Sequence, residues 1–167
     1  MVEEAALQLV SRVSGLAWIS NSRGRVLTVL GEQGPRLPGG PVGDRQSDVA
    51  AVLDHVSYGT GLSVALVRLL GINWERTGAG MSQSLVYLCR AADPSALVRT
   101  PDAGAQQSHP PAFRWLTLGE ARREMSPARL HVFEALWAAW RDETTAVLHH
   151  GRPAFDAAGV QASSWPS

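Results

Sequence analysis

Lysine is missing from this 167-residue chain, and all fifteen of its basic residues are arginine. No Schiff-base or general-base lysine mechanism can therefore operate. The bias toward alanine, arginine and glycine fits a GC-rich bacterial coding background. Cysteine is nearly missing as well. Cys89 stands alone, which excludes an intrachain disulfide and a cysteine-rich zinc site. Net charge is zero, with fifteen acidic residues against fifteen basic. That balance lacks the basic excess of proteins that bind nucleic acid or anionic membranes. Long apolar runs are missing too: the stretch from Leu62 to Leu70 is interrupted by Ser63 and Arg68, far short of a membrane span. The start, Met1-Val2-Glu3-Glu4, is acidic where a secretory signal is basic. The expectation is a soluble cytoplasmic chain whose partner is a small molecule, with neither nucleic acid nor membrane.

What is present is a chain that is 45% hydrophobic, enough to build one substantial core. Ala5, Ala6, Leu7, Leu9 and Val10 predict a short helix from Glu3 to about Arg12. Leu16–Ile19 and Val26–Leu30 read as strands, with hairpin-turn residues at Asn21–Gly24 between them. Ser47 or Asp48 can cap a helix whose Val49, Val52, Leu53 and Val56 form an apolar stripe. Gly59-Thr60-Gly61 ends it. Two further strands are predicted over Val64–Trp74 and Ser82–Arg90, joined by Thr77–Gly80. The stretch 92–112 reads as a long loop, and Phe113–Leu118 as a last strand. A C-terminal helix runs from Pro127 to Arg141 behind Ser126. Strands on both sides of one helix, with a second helix at the end, predict an α/β sandwich with a mixed sheet.

From Leu37-Pro38-Gly39-Gly40 onward the chain resembles the Nudix hydrolases. Their signature box is a Gly, five residues, a Glu, seven residues, then Arg-Glu-apolar-x-Glu-Glu-x-Gly-apolar. Starting at Gly40 the chain keeps this register without a gap: Val42, Val56, Gly61 and Leu62 fall on matching positions, and Thr60 matches a common variant. Gly24–Leu27, Arg114-Trp115-Leu116 and Ser126–Arg129 resemble the family's flanks, so the likeness spans roughly residues 15–140. It implies an αβα sandwich with a mixed central sheet, here a single domain over 1–148 followed by a tail over 149–167. Many members of the family pair as homodimers. The aromatic residues Trp137, Trp140, Phe155 and Trp165 would suit such an interface.

The acidic part of the box departs from the family. There, glutamates hold magnesium or manganese, which binds a diphosphate and activates water. Here those positions carry Gln46, His55, Tyr58 and Gly59, and the box arginine position carries Asp54. Hard cations need several oxygen ligands, usually carboxylates, so neither a metal site nor a cofactor is expected. His55 and Tyr58 lie three residues apart and share a helix face. They predict a catalytic group in which His55 moves a proton near neutral pH, Tyr58 donates a hydrogen bond and Asp54 or Gln46 orients His55 or the ligand. Gln46, Glu75, Trp74 and Gln83 are the candidate ligand contacts. Gly39 and Gly40 permit a close backbone approach. His149-His150 reads as a solvated end. Three functions follow from this: metal-independent acid–base chemistry on a small organic molecule in specialised bacterial metabolism, a non-catalytic module that binds a nucleotide-like metabolite, or an atypical diphosphate hydrolase.

Overall fold

A computed structural model of the chain describes residues 10–78, 80–93 and 113–155, with the side chains of Val10 and Ser11 left aside. The chain opens on β1 (Val10–Ile19), turns through Asn21–Gly24, and returns as β2 (Val26–Gly31). The Asn21 side chain accepts from the backbone N–H groups of Arg23 and Arg25, both at 3.0 Å, which closes the turn expected from its residues. Short strands β3 (Gly34–Arg36) and β4 (Gly39–Pro41) precede helix α1 (Asp48–Thr60). A long hairpin follows, β5 (Val64–Thr77) and β6 (Gly80–Ala91). Then come β7 (Phe113–Leu116), α2 (Leu118–Glu124), α3 (Pro127–Arg141), β8 (Ala146–His149) and β9 (Arg152–Pro153).

The expected mixed sheet is present. Six strands run in the order β4-β1-β6-β5-β8-β9, with β1 parallel to β6 and β5 parallel to β8. A smaller antiparallel sheet holds β3-β2-β7. Helix α3 packs on one face of the large sheet. Trp18, Leu70, Val86, Phe133 and Leu136 form that core. Helix α1 packs on the other face, where Ala17, Ile19, Val52, Val56, Leu62 and Cys89 form a second core together with Leu27 of the small sheet. This is an α/β sandwich. Among the described residues no helix is long and apolar enough to cross a membrane.

Helix α1 starts where its chemistry requires. The Ser47 hydroxyl accepts from the Ala50 N–H at 3.1 Å, and Gly61 stops the helix in the left-handed region at φ 69°. Its buried side is Ala51, Val52 and Val56. Val49, expected inside the stripe, is 38% exposed. The reason is that α1 touches β4 as well as β1. This second contact turns the buried arc toward Ala51 and away from Val49.

Several expectations change. Val10–Arg12, assigned to an opening helix, belong to β1, while residues 1–9 lie outside the described residues. Helix α2 replaces a continuous strand-to-loop segment. It is announced by a capping box, in which Thr117 and Glu120 satisfy each other's backbone N–H groups. The sheet also runs past residue 148, since His149 pairs with Trp74 and Arg152 with His149. Most of the expected loop, 94–112, lies outside the described residues.

Candidate functional site

The residues of the box are held in two layers. The first is the approach of β4 to its neighbours. A Cβ on Gly39 would overlap the Gly15 carbonyl oxygen, and its φ of 139° also favours glycine. At Gly40 a Cβ would lie 2.6–2.8 Å from three ring atoms of His55. Both glycines are therefore explained by backbone and imidazole packing. The His55 Nε2 lies 2.9 Å from the Pro41 carbonyl oxygen. A carbonyl only accepts, so Nε2 carries the proton and Nδ1 is left as the basic nitrogen.

The second layer is the loop before the helix. The Gln46 amide donates to Asp54 Oδ2 at 2.7 Å, while its own oxygen accepts from the Gly43 N–H at 3.3 Å. Gln46 and Asp54 thus meet each other rather than His55. Tyr58 is 84% exposed. The structure brings Gly40, Pro41 and His55 into one contact and Gln46 and Asp54 into another, with Tyr58 outside both.

This donor set does not fit a hard divalent cation. One imidazole nitrogen is engaged by a carbonyl, the Asp54 carboxylate is engaged by an amide, and the remaining positions offer a phenol and a glycine. Among the described residues, no three His, Cys, Asp or Glu side chains are grouped as metal ligands.

Trp74 and Gln83 are paired across β5 and β6. Side chains alternate along a strand, so Gln83, Leu85 and Tyr87 point to one face. That face is the one bearing α1, because the Tyr87 hydroxyl donates to Asp48 in the first turn of the helix. Burial and the bond to Asp48 push the Tyr87 phenol up from 10.0 to about 12. This pair was not foreseen. Ser47 takes the capping role, which frees Asp48 for Tyr87, and only the tertiary fold places the two together.

Glu75 sits elsewhere. As the neighbour of Trp74 it faces the opposite side of the sheet, where its carboxylate accepts from Asn73 Nδ2 at 2.9 Å. Asn73 is buried and in turn accepts from the Gly151 N–H at 2.9 Å. Glu75 is thus part of the bracing of the β8–β9 turn, apart from Trp74 and Gln83.

His55 also stands apart from the Trp74–Gln83 pair. It lies over β4, two strands from Gln83 on β6 and three from Trp74 on β5, about 10 and 14 Å at the usual strand spacing. The His149 and His150 rings meet edge-on at 4.4 Å, in a strand end and turn rather than a helix. Burial, then His150 and Arg76, hold His149 below the ordinary imidazole value.

Solved structures share this fold. A NUDIX hydrolase from Nitrosomonas europaea aligns at a TM-score of 0.63 with 10% identity, over 84% of this chain and 79% of that one. This chain has the Nudix hydrolase fold. A UDP-X diphosphatase aligns at 0.61 with 16% identity, over 87% of this chain and 70% of its own. The MutT protein of Methanosarcina mazei Go1 aligns at 0.59 with 20% identity, over 79% and 94%. No protein-family model and no curated protein sequence matches the chain. At these identities the Nudix likeness is one of fold, and function rests on the side chains now in place.

Proposed function

We infer that this Nudix-fold chain performs metal-independent proton transfer on a small organic molecule, with His55 as the group that moves the proton. The observation that carries this reading is the His55 Nε2 to Pro41 carbonyl hydrogen bond. It fixes the tautomer and the ring orientation, as a proton-transferring imidazole requires, and leaves Nδ1 to accept or return the proton. Tyr58, 84% exposed one turn further along α1, lies outside this contact and takes no part in the step. Gln46, in the loop before α1, and Asp54, nearly two turns into it, hold each other and would orient the ligand. No step requires magnesium, manganese or a lysine. The setting that suits this chemistry is specialised bacterial metabolism in the cytoplasm.

A homodimer belongs to the proposal on narrower grounds than the aromatic count suggested. Trp137 and Trp140 are engaged with Trp18 inside their own core. Of the described aromatics counted toward an interface, Phe155 is left, 49% exposed. Light scattering at high concentration that reports a monomer removes the dimer.

The proton-transfer reading is tested in two steps. Long-range proton–nitrogen NMR should show the neutral His55 ring protonated at Nε2 and bare at Nδ1. With a turned-over compound in hand, His55→Ala should lower the rate by about a hundredfold or more. Chelator-sensitive hydrolysis of ADP-ribose or nucleoside triphosphates, unaffected by His55→Ala, would overturn it and restore a diphosphate hydrolase. A second reading, a binding module without turnover, is favoured by the separation of Trp74 and Gln83 from His55. It predicts saturable ligand binding with no product.

A further inference from the structure

Helix α1 is seated on the sheet at three places along one side. Asp48, Val52 and His55 stand at i, i+4 and i+7, one stripe of the helix. Asp48 accepts from the Tyr87 hydroxyl of β6. Val52 is fully buried over Gly15 of β1, and His55 meets Gly40 and the Pro41 carbonyl of β4. Gly15 and Gly40 pair directly across β1 and β4, so two missing side chains lie side by side beneath the helix. Neither has a positive φ, in contrast to Gly39. What each supplies is space. A Cβ on Gly15 would stand 2.6 Å from Val52 Cγ2 and 2.9 Å from the Asp48 carbonyl oxygen. The carbonyl is helix backbone, and valine in a helix keeps one strongly preferred rotamer, so neither atom can step aside. Helix α1 would have to rise.

We propose that Gly15 is a positioning residue for the proton-transfer step: its missing side chain sets the height of α1 over the sheet, and that height keeps the His55 ring in its bond to Pro41. The inference rests on reading His55 as the group that moves the proton. The His55 Nε2 to Pro41 oxygen distance is 2.9 Å. A lift of about half an ångström takes it beyond about 3.2 Å, the upper end of the N–H···O range. The ring would then turn freely, and Nδ1 would no longer be presented in one direction. Asp48 rides on the same helix, so the Tyr87 bond should open with it. Gly40 acts differently. The three atoms nearest its Cβ would all belong to the imidazole, so a side chain there pushes the ring without lifting the helix.

Two signals test this without turnover. Exchange of the His55 Nε2 proton with water is read by proton–nitrogen NMR. The Tyr87 phenol is read by its alkaline absorbance in a Tyr58→Phe background, since the chain has two tyrosines. Gly15→Ala should speed the exchange roughly two- to tenfold, the scale of one hydrogen bond. It should also bring the Tyr87 phenol down from about 12 toward 10.0, as burial and the Asp48 bond both weaken. Gly40→Ala should speed the exchange alone. Val52→Ala leaves a cavity in place of an overlap, and should lower stability while moving neither signal. Should Gly15→Ala melt early, adding Val52→Ala relieves the closer overlap and keeps the one with the Asp48 carbonyl; fast exchange should persist there. Wild-type signals in folded Gly15→Ala or in the double variant, or equal shifts in Val52→Ala, would overturn the proposal. An unchanged rate in His55→Ala overturns the proton-transfer reading instead and leaves these signals as they are, so the two fail separately.

Discussion

The two faces of the large sheet are built on different terms. On the α3 face, four aromatic rings interlock: Trp18 meets Phe133 at 5.0 Å, Trp140 at 5.9 Å and Trp137 at 6.0 Å. The Trp18 indole N–H is buried among them without a hydrogen-bond partner among the described residues. Its cost is carried by a large apolar burial. On the α1 face, the core fills only the end near Ile19, Leu62 and Cys89. The other end, around Trp74, is left half-covered, and polar side chains reappear there. The difference teaches where this fold spends its apolar residues on stability and where it leaves side chains for other uses.

The sharpest way to break that comparison is Trp18→Ala. It removes the centre of the aromatic cluster and should cost about 3–5 kcal/mol, read from urea unfolding. A loss near that of a surface change would mean the α3 face is not the chain's main source of stability.

Next in size is Gly40→Ala, expected to cost about 1–3 kcal/mol by overpacking His55. In a His55→Ala background the same change should be nearly neutral. Absence of this coupling in a double-mutant cycle would show that imidazole and glycine are not in contact.

Tyr87→Phe comes third. Losing the hydroxyl and leaving Asp48 unpaired should cost about 1 kcal/mol. It also has a pH signature. The folded phenol is raised from 10.0 to about 12, so its contribution is complete below pH 10.0 and disappears as pH rises toward 12. Wild type should therefore lose more stability than Tyr87→Phe between those values. Parallel alkaline curves for the two proteins would contradict the Asp48–Tyr87 bond.

The smallest effect is expected at Val49→Thr, within about 0.5 kcal/mol, because Val49 is exposed. Val52→Ala, one turn away and fully buried, should cost several times more. Equal effects would mean the helix is rotated from the orientation described.

Local chemistry was readable wherever it decided the backbone by itself. Pro127 at the start of α3, Gly61 at the end of α1, the turn at Asn21–Gly24 and the alternating strands Val64–Trp74 and Ser82–Arg90 needed no long-range partner to be recognised. The ungapped box register from Gly40 to Leu62 brought the fold with it. The short strand β8 was not readable. Four residues carry little periodicity, and its place comes from parallel pairing with β5 and from the Asn73–Gly151 bond.

For the candidate site the division is similar. By itself the sequence determined the residue types: an imidazole, a phenol, an amide and an aspartate where the related box has acids and an arginine, and no lysine anywhere. Which of them meet was decided only by the tertiary structure. Helical spacing put His55 and Tyr58 on one face, yet contact with β4 draws His55 against Gly40 and leaves Tyr58 in solvent. Strand alternation parted Glu75 from Trp74, and register placed His149 beside Trp74 from a segment distant in the chain. Periodicity fixes a side chain's azimuth on its own element. Its neighbours depend on which element packs alongside, and that is set by burying the largest apolar area at once.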